Sequence, residues 1–201
     1  MRQLKNFKWL RAGDYCCLQA DAERLPFADN LFDVVYSNGV LHHTPDTDRC
    51  VQEVYRVLKP GGVAVIMLYA KHSFYYCGTI FFLKGLVLGN WVRYSNWLGR
   101  VTEWMTSIPQ CQVNPETKVY SAKDIRYLFR SFSSFAIRKN SFQIQQLPVL
   151  GRRLSLALGR WCGQNSAGIL LYGHPWRKET SWELAIGRWM GFCFNIKAVK
   201  R

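Results

Sequence analysis

The fold is decided by the stretch FDVVYSNGVLHHTPDTDRCVQEVYRVLKPGGVAVIMLY, residues 32–69. Its start predicts a short strand at 33–37, and 63–69 is a continuous apolar run without alternation. Such a run is typical of a strand that is covered on both faces, as in a parallel sheet between helices. Between the two, Thr44-Pro45-Asp46 predicts the start of a helix, with a hydroxyl cap, a proline at the first helical position and an acid in the first turn. The order strand, helix, strand indicates an α/β sheet.

Further elements are predicted on both sides of this stretch. The helix that begins at Thr44 carries one apolar stripe, Val51, Val54 and Leu58, and is predicted to end at 59–62. A capping-box-like start at Ser121 predicts a later helix. The remaining predicted elements are an amphipathic helix at 2–12, a strand at 15–19, a strand at 135–144, a helix at 151–162 and a final strand at 191–200, which alternates Phe192, Phe194, Ile196 and Ala198 on one face.

The charge of the chain is uneven. Its 201 residues carry a formal charge of +14, yet basic and acidic residues balance over the first 60, so the whole excess lies after Pro60. Such an excess is either a solvated surface or an attractant for nucleic acid, anionic lipid or an acidic ligand. The alternative function that follows is a basic protein that binds nucleic acid or an anionic membrane surface.

The cysteines suggest a compartment. There are seven, with no C-x-x-C pair and no zinc-finger spacing, and no secretory signal pattern precedes them. Reduced thiols in a cytoplasmic protein fit this usage best. We also expect no metal site at the histidine pair, because neighbouring side chains diverge in a helix or a strand.

Three blocks in residues 21–69 carry a resemblance to a known family. They are an acid-alanine pair with LPF shortly after it, FDVVYSNGVLHH, and EVYRVLKPGG before the apolar run. Together they resemble the class I S-adenosylmethionine-dependent methyltransferases of the methyltransferase type 11-like branch. The resemblance implies a doubly wound, mostly parallel Rossmann-like sheet with an antiparallel C-terminal strand pair. Residues 1–201 would then be a partial methyltransferase domain, divided into a cofactor-side half (1–69), an aromatic insertion or acceptor lid (70–118) and a C-terminal helix and strand pair (119–201).

The resemblance also assigns site residues. Asp21 would accept a hydrogen bond from the adenine amino group of S-adenosylmethionine, and the Ala22 amide would meet a ring nitrogen. Next to the methionine part of the cofactor the chain would place Ser37, Asn38 and Gly39, where small residues let backbone and ligand approach. Leu41 would continue this binding segment, and His42 and His43 would reach towards the acceptor as the candidate bases, although packing or capping roles remain open for both.

One part of the family pattern is absent. The family places a glycine-rich G-x-G-x-G loop after its first strand, and this sequence has no two glycines at positions i and i+2. We therefore expect a chain that lacks the first two strands of the family fold, including the loop that receives the carboxypropyl end of the cofactor. The predicted function is methyl transfer to a small-molecule, aromatic or apolar acceptor, with little activity or cofactor binding from these residues alone.

Overall fold

The computed structural model describes residues 18–102, 116–142 and 181–201. Four strands form one sheet: β1 (Phe32–Asn38), β2 (Leu58–Tyr69), β3 (Ser134–Asn140) and β4 (Cys193–Val199). The helices are α1 (Thr47–Val57), α2 (Asn90–Arg93), α3 (Trp97–Thr102), α4 (Ala122–Leu128) and α5 (Ser181–Met190). A short 3₁₀ turn spans Leu41–His43, and a helix of π type spans Tyr75–Val87.

The sheet has the order β1-β2-β4-β3. β1 and β2 are parallel, with Asn38 opposite Met67, whereas β4 runs antiparallel to both β2 and β3. The α/β class and the antiparallel C-terminal strand pair are thus confirmed. Within the described residues no strand pairs with the outer edge of β1, where the side chains of Val34 and Tyr36 are 60% and 69% exposed.

Helices lie on both faces of this sheet. On one face α1 and α4 pack against the even-numbered side chains of β2 and β4, in a core that includes Val54, Ile66 and Ile125. On the other face Met67 and Tyr69 contact a smaller cluster around Ile80 and Phe192. The predicted stripe of α1 is confirmed, since Val51, Val54 and Leu58 are buried. In the last strand Phe194, Ile196 and Ala198 share the first core as predicted. The prediction is wrong for Phe192, which precedes β4 and packs in the cluster on the other face.

The start of α1 differs from the prediction. Its N-cap is Asp46, whose side chain accepts a hydrogen bond from the Arg49 amide at 3.0 Å. Thr44, the predicted cap, instead donates its hydroxyl to the Leu41 carbonyl at 2.8 Å. The hydroxyl is therefore used to close the preceding 3₁₀ turn, and the helix begins two residues later than predicted.

Other boundaries shift as well. α1 passes directly into β2 at Leu58, so 59–62 lies in the strand, with an irregular register against β1, rather than in a loop. The capping box of α4 is confirmed, with Ser121 and Asp124 bonded to each other's backbone amides. The predicted strand 135–144 is observed as β3 over Ser134–Asn140, while 141–142 are not in the strand and 143–144 lie outside the described residues. Leu18 and Gln19 are not in a strand, while the rest of the predicted strand 15–19 and the helices 2–12 and 151–162 lie outside the described residues.

The turn into β4 gives a test of the packing. A methyl group on Gly191 would overlap the carbonyl oxygens of Asn140 and Gly187, whereas one on Gly78 would make only ordinary contacts with the Phe74 ring. We expect Gly191→Ala to lower the free energy of unfolding by about 3 kcal/mol or more, because backbone cannot move aside cheaply. Gly78→Ala is the matched control and should leave stability unchanged or slightly raised, since alanine favours a helix. Urea titration of both variants measures this, and equal stability of the two would contradict the packing of this turn.

Candidate functional site at the carboxyl ends of β1 and β2

The first part of the site is the chain that leaves β1. Gly39 has a φ of +75°, a left-handed conformation that glycine adopts readily, and it turns the chain away from the sheet. The 3₁₀ turn follows at once, closed by a hydrogen bond from the His43 amide to the Val40 carbonyl at 2.9 Å. Since β1 and β2 are parallel, their carboxyl ends lie on one rim of the sheet, where open α/β sheets bind ligands.

The second part is a tight turn at Asp21. One carboxylate oxygen of Asp21 accepts the Glu23 amide at 3.0 Å, and the Asp21 carbonyl accepts the Arg24 amide at 3.1 Å. Glu23 connects this turn to the start of α1, because its carboxylate accepts the Asp46 amide at 2.8 Å and its carbonyl accepts Arg49 Nε at 3.1 Å. The Asp21 carboxylate stays exposed to solvent, and Ala22 packs against the core.

These contacts bring the two parts to the same rim. The Asp21 turn lies on the N-terminal end of α1, and that end directly follows the 3₁₀ turn at the carboxyl end of β1. Asn38 is exposed there, while Ser37 is half-buried. The Ser37 hydroxyl oxygen is buried without a hydrogen-bond partner among the described residues, a polar atom that a ligand could satisfy. Leu41, by contrast, has its side chain in the core.

The two histidines occupy different environments. His42 is fully buried, with its ring centroid 3.8 Å from that of Tyr69 and 4.1 Å from that of His43. His43 is only partly buried, and its Nδ1 lies 3.0 Å from the Glu116 carbonyl and 3.1 Å from the Thr117 hydroxyl. Because a carbonyl oxygen can only accept, Nδ1 carries the proton when it bonds Glu116, which makes Nε2 the basic nitrogen of the neutral ring. His43 is therefore better suited than His42 to take up a proton.

A cleft of about 460 Å³ lies beside the His43 partners. Its lining comes from the start of α3 and from the segment that precedes α4, namely Ser95, Asn96, Trp97, Leu98, Glu116, Thr117 and Lys118. Segment 116–118 could not be predicted as part of the site, because its contact with His43 joins positions 73 residues apart. Lys118 anchors the segment, since its amide donates to the His42 carbonyl at 2.9 Å.

The loop between Asp21 and β1 is held by an arginine–carboxylate network. Both terminal nitrogens and Nε of Arg56 donate to oxygens, at 2.6–3.0 Å, on Leu25, Phe27, Asp29 and Glu53. The Glu53 carboxylate also accepts the Leu25 amide at 2.8 Å. The hydrogen bonds from Arg56 hold the pKa of Glu53 below its ordinary value, against the opposing effect of partial burial.

Three comparisons relate this chain to known proteins. The family model described as "Methyltransferase domain" matches residues 2–66. Over 62 residues the chain is 44% identical to the ubiquinone/menaquinone biosynthesis C-methyltransferase UbiE of Haemophilus ducreyi, which covers 31% of this chain and 24% of that protein. It is 46% identical over 66 residues to the uncharacterized protein YafE of Escherichia coli strain K12, covering 33% of this chain and 28% of that one.

Solved structures show a more distant likeness. A Thermotoga maritima S-adenosylmethionine-dependent methyltransferase, described as a possible histamine N-methyltransferase, aligns with a TM-score of 0.47 and 16% identity, over 92% of this chain and 63% of that one. For UbiE and YafE, the curated relatives named above, the chain spans about a quarter of their length. The family resemblance of the three sequence blocks is confirmed, since they lie within or next to the matched segment.

The Glu53 network makes a pH-dependent prediction. We expect Glu53→Gln to lower the free energy of unfolding at pH 7 by about 1–2 kcal/mol, because hydrogen bonds to a charged group are lost. A carboxyl whose folded-state pKa is lowered stabilises above its unfolded pKa and loses that effect as pH falls through the folded value. The difference in the free energy of unfolding between Glu53→Gln and the unchanged protein should therefore be constant from pH 7 to about pH 5.5 and shrink below about pH 4.5.

Urea titrations at several pH values measure that difference. Asp33→Asn is the matched control, since the Asp33 side chain is 81% exposed and pairs with Lys59 at 2.9 Å. Such a surface pair contributes little, so the control should have nearly the same free energy of unfolding as the unchanged protein. An equal loss in both variants, or a difference that grows at low pH, would contradict the role given to Glu53.

Proposed function

We propose that this protein is an S-adenosylmethionine-dependent methyltransferase, because residues 2–66 match the methyltransferase-domain family model. The observation that carries the proposal is the meeting of two segments on one rim of the sheet, the Asp21 turn and the chain that leaves β1 at Asn38. Since the chain spans only part of its relatives, the activity, its acceptor and its partners all belong to the proposal.

The cofactor fits the chemistry of this rim. The exposed carboxylate of Asp21 is a suitable acceptor for the adenine amino group, and the turn leaves Ala22 beside it with a side chain too small to block the ring. Gly39 allows the backbone to approach the methionine part, and the buried Ser37 hydroxyl would gain a partner there. Asn38 is the exposed side chain of this segment, and Leu41 would contribute through its backbone, because its side chain is in the core.

The residues of the chain align and deprotonate the acceptor. When bound, S-adenosylmethionine supplies an electrophilic methyl group, so the protein mainly has to orient the acceptor in line and keep water out. His43, held by Glu116 and Thr117 through Nδ1, would receive the acceptor's proton at Nε2. His42, stacked on Tyr69, would support His43 by packing rather than by proton transfer.

The proposed acceptor is a small apolar aromatic molecule with an ionisable hydroxyl group. The cleft beside His43 is lined by Trp97 and Leu98 as well as polar groups, and it belongs to the aromatic insertion. UbiE of Haemophilus ducreyi is named as a ubiquinone/menaquinone biosynthesis C-methyltransferase, which favours a hydroquinone ring carbon as the acceptor atom. Removal of the ring hydroxyl proton by His43 would make that carbon more nucleophilic. The hydrogen on the methylated carbon would then return to the ring oxygen as a proton, which restores the aromatic ring and its hydroxyl.

We further propose that the pocket formed by these residues is partial. The family's glycine-rich loop has no counterpart in the sequence, so the carboxypropyl end of the cofactor would need a loop supplied from elsewhere. Under this proposal the 201 residues alone give no measurable turnover, and adding such a loop restores it.

A chimera tests the proposed function. In the chimera, the segment of the Haemophilus ducreyi UbiE that precedes the matched region is joined to the N-terminal side of the matched region of this chain. Cooperative thermal unfolding verifies that the chimera folds. Transfer of a labelled methyl group from S-adenosylmethionine to a short-chain hydroquinone should occur with the chimera and not with the 201-residue chain. A folded chimera that methylates neither the hydroquinone nor other phenols would overturn the proposal.

The two histidines can be separated within the same chimera. We expect His43→Gln to lower kcat about 100-fold and to remove the fall in rate at low pH, because the general base is lost. His42→Phe keeps an aromatic ring against Tyr69 and should change kcat much less. The matched control is His72→Gln, since His72 is an exposed histidine whose side chain lies outside the proposed site. A larger loss from His42→Phe than from His43→Gln would reverse the assignment.

A further inference from the structure

The helix Tyr75–Val87 and α2 leave a large apolar surface in water. A helix that is apolar on all sides is normally buried, and soluble domains expose few contiguous apolar patches. Here seven large apolar side chains in one stretch of 13 residues are exposed. We call them the 82–94 surface: Phe82, Leu86, Val87, Leu88, Trp91, Val92 and Tyr94.

This surface has a defined geometry. Gly89, with a φ of +67°, makes the turn between the two helices, and Asn90 Nδ2 donates to the Lys84 carbonyl at 2.7 Å. The Trp91 ring lies 5.8 Å from the Phe81 ring, which fixes α2 against the longer helix. The apolar side chains are therefore held outward on an ordered support.

The charged residues within the surface are both basic. They are Lys84 and Arg93, and Lys84 is half-buried with its Nζ donating to the Val101 carbonyl at 3.0 Å. Arg93 is exposed and stands between Val92 and Tyr94 near the end of this stretch. An apolar surface with tryptophan, tyrosine and basic residues matches the boundary between anionic headgroups and acyl chains.

Other occupants fit less well. In the parts of the chain that the structure describes, no helix is long and apolar enough to cross a membrane. A second copy would bring together two such surfaces, each with an exposed Arg93, which costs electrostatic repulsion. Nucleic acid would leave the aliphatic Val87, Leu88 and Val92 without a matching partner, because base recognition uses aromatic stacking.

We propose that the 82–94 surface docks the protein on anionic lipid bilayers, with the apolar side chains inserted at the headgroup boundary and Arg93 paired with lipid phosphates. This docking does not depend on methyl transfer. It would bring a protein that acts on apolar molecules to the phase in which such molecules dissolve.

Vesicle flotation of the full 201-residue chain tests the docking. Vesicles of phosphatidylcholine and phosphatidylglycerol at 7:3 are compared with pure phosphatidylcholine. We expect Val87→Ser/Val92→Ser to weaken partitioning into the anionic vesicles about 10-fold, because two inserted side chains lose their apolar contact. Val34→Ser is the matched control. Val34 and Val87 are both 60% exposed, but Val34 lies in β1, at the edge of the sheet and outside the 82–94 surface. The control should partition like the unchanged chain.

A second comparison tests whether binding to anionic vesicles requires the positive charge of Arg93. Arg93→Gln should weaken binding to the anionic vesicles about 5-fold, and added salt should reduce this difference. Arg126→Gln, which changes an exposed arginine on α4, should have no effect. All variants are first shown to keep the thermal unfolding midpoint of the unchanged chain.

Several results would overturn the proposal. Unchanged partitioning of Val87→Ser/Val92→Ser, or an equal loss in Val34→Ser, would show that the 82–94 surface does not insert. A dimer measured by light scattering that only the double variant loses would make a second copy the occupant. Binding to RNA that the double variant loses, without binding to vesicles, would make nucleic acid the partner.

Discussion

The structure depends on the parallel pairing of β1 with β2, two strands that α1 connects along the chain. Parallel strands joined through a helix have their carboxyl ends on the same rim, and here Asn38 lies opposite Met67. The proposed methyl transfer follows from that rim. The chain turns at Gly39, presents the histidines against Tyr69 at the end of β2, and starts α1 where the Asp21 turn can bind it.

A second set of contacts fixes the acceptor side. The segment that precedes α4 crosses the end of β2, where the Tyr120 amide donates to the Tyr69 carbonyl at 2.9 Å and the Lys71 amide to the Tyr120 carbonyl at 2.8 Å. The buried Tyr120 hydroxyl also donates to Thr47 at 2.7 Å. Burial raises the pKa of Tyr120, so this hydroxyl stays protonated and remains a donor at neutral pH. The carbonyl of Glu116 is thereby held beside His43.

Much of this arrangement could be predicted from local sequence. The strand before Ser37, the stripe of α1, the capping box at Ser121 and the alternation within β4 each have a short-range physical cause, and each is observed. The true cap of α1 could not be predicted, because Thr44 is used by the 3₁₀ turn and that choice depends on the fold of the preceding residues. The roles proposed for the site residues remain predictions, since they depend on a ligand.

Long-range features could not be predicted either. The contact of His43 with Glu116 and Thr117 joins segments that no sequence period connects. The exposure of the 82–94 surface also could not be predicted, because the sequence pattern of an apolar helix fits a buried helix as well as an exposed one. Both features involve residues 70–118, whose sequence follows neither the strand nor the helix pattern of the flanking residues.

The most direct test is the affinity of the chimera for S-adenosylhomocysteine, measured by isothermal titration calorimetry. Asp21→Ala should weaken binding by at least 10-fold, because the adenine amino group loses its charged acceptor. Asp33→Ala removes an exposed carboxylate at the opposite end of β1, where it pairs with Lys59 at 2.9 Å, and should leave the affinity unchanged. Equal affinities for Asp21→Ala and the unchanged chimera would contradict the account, because the Asp21 turn would then not form part of the nucleoside pocket.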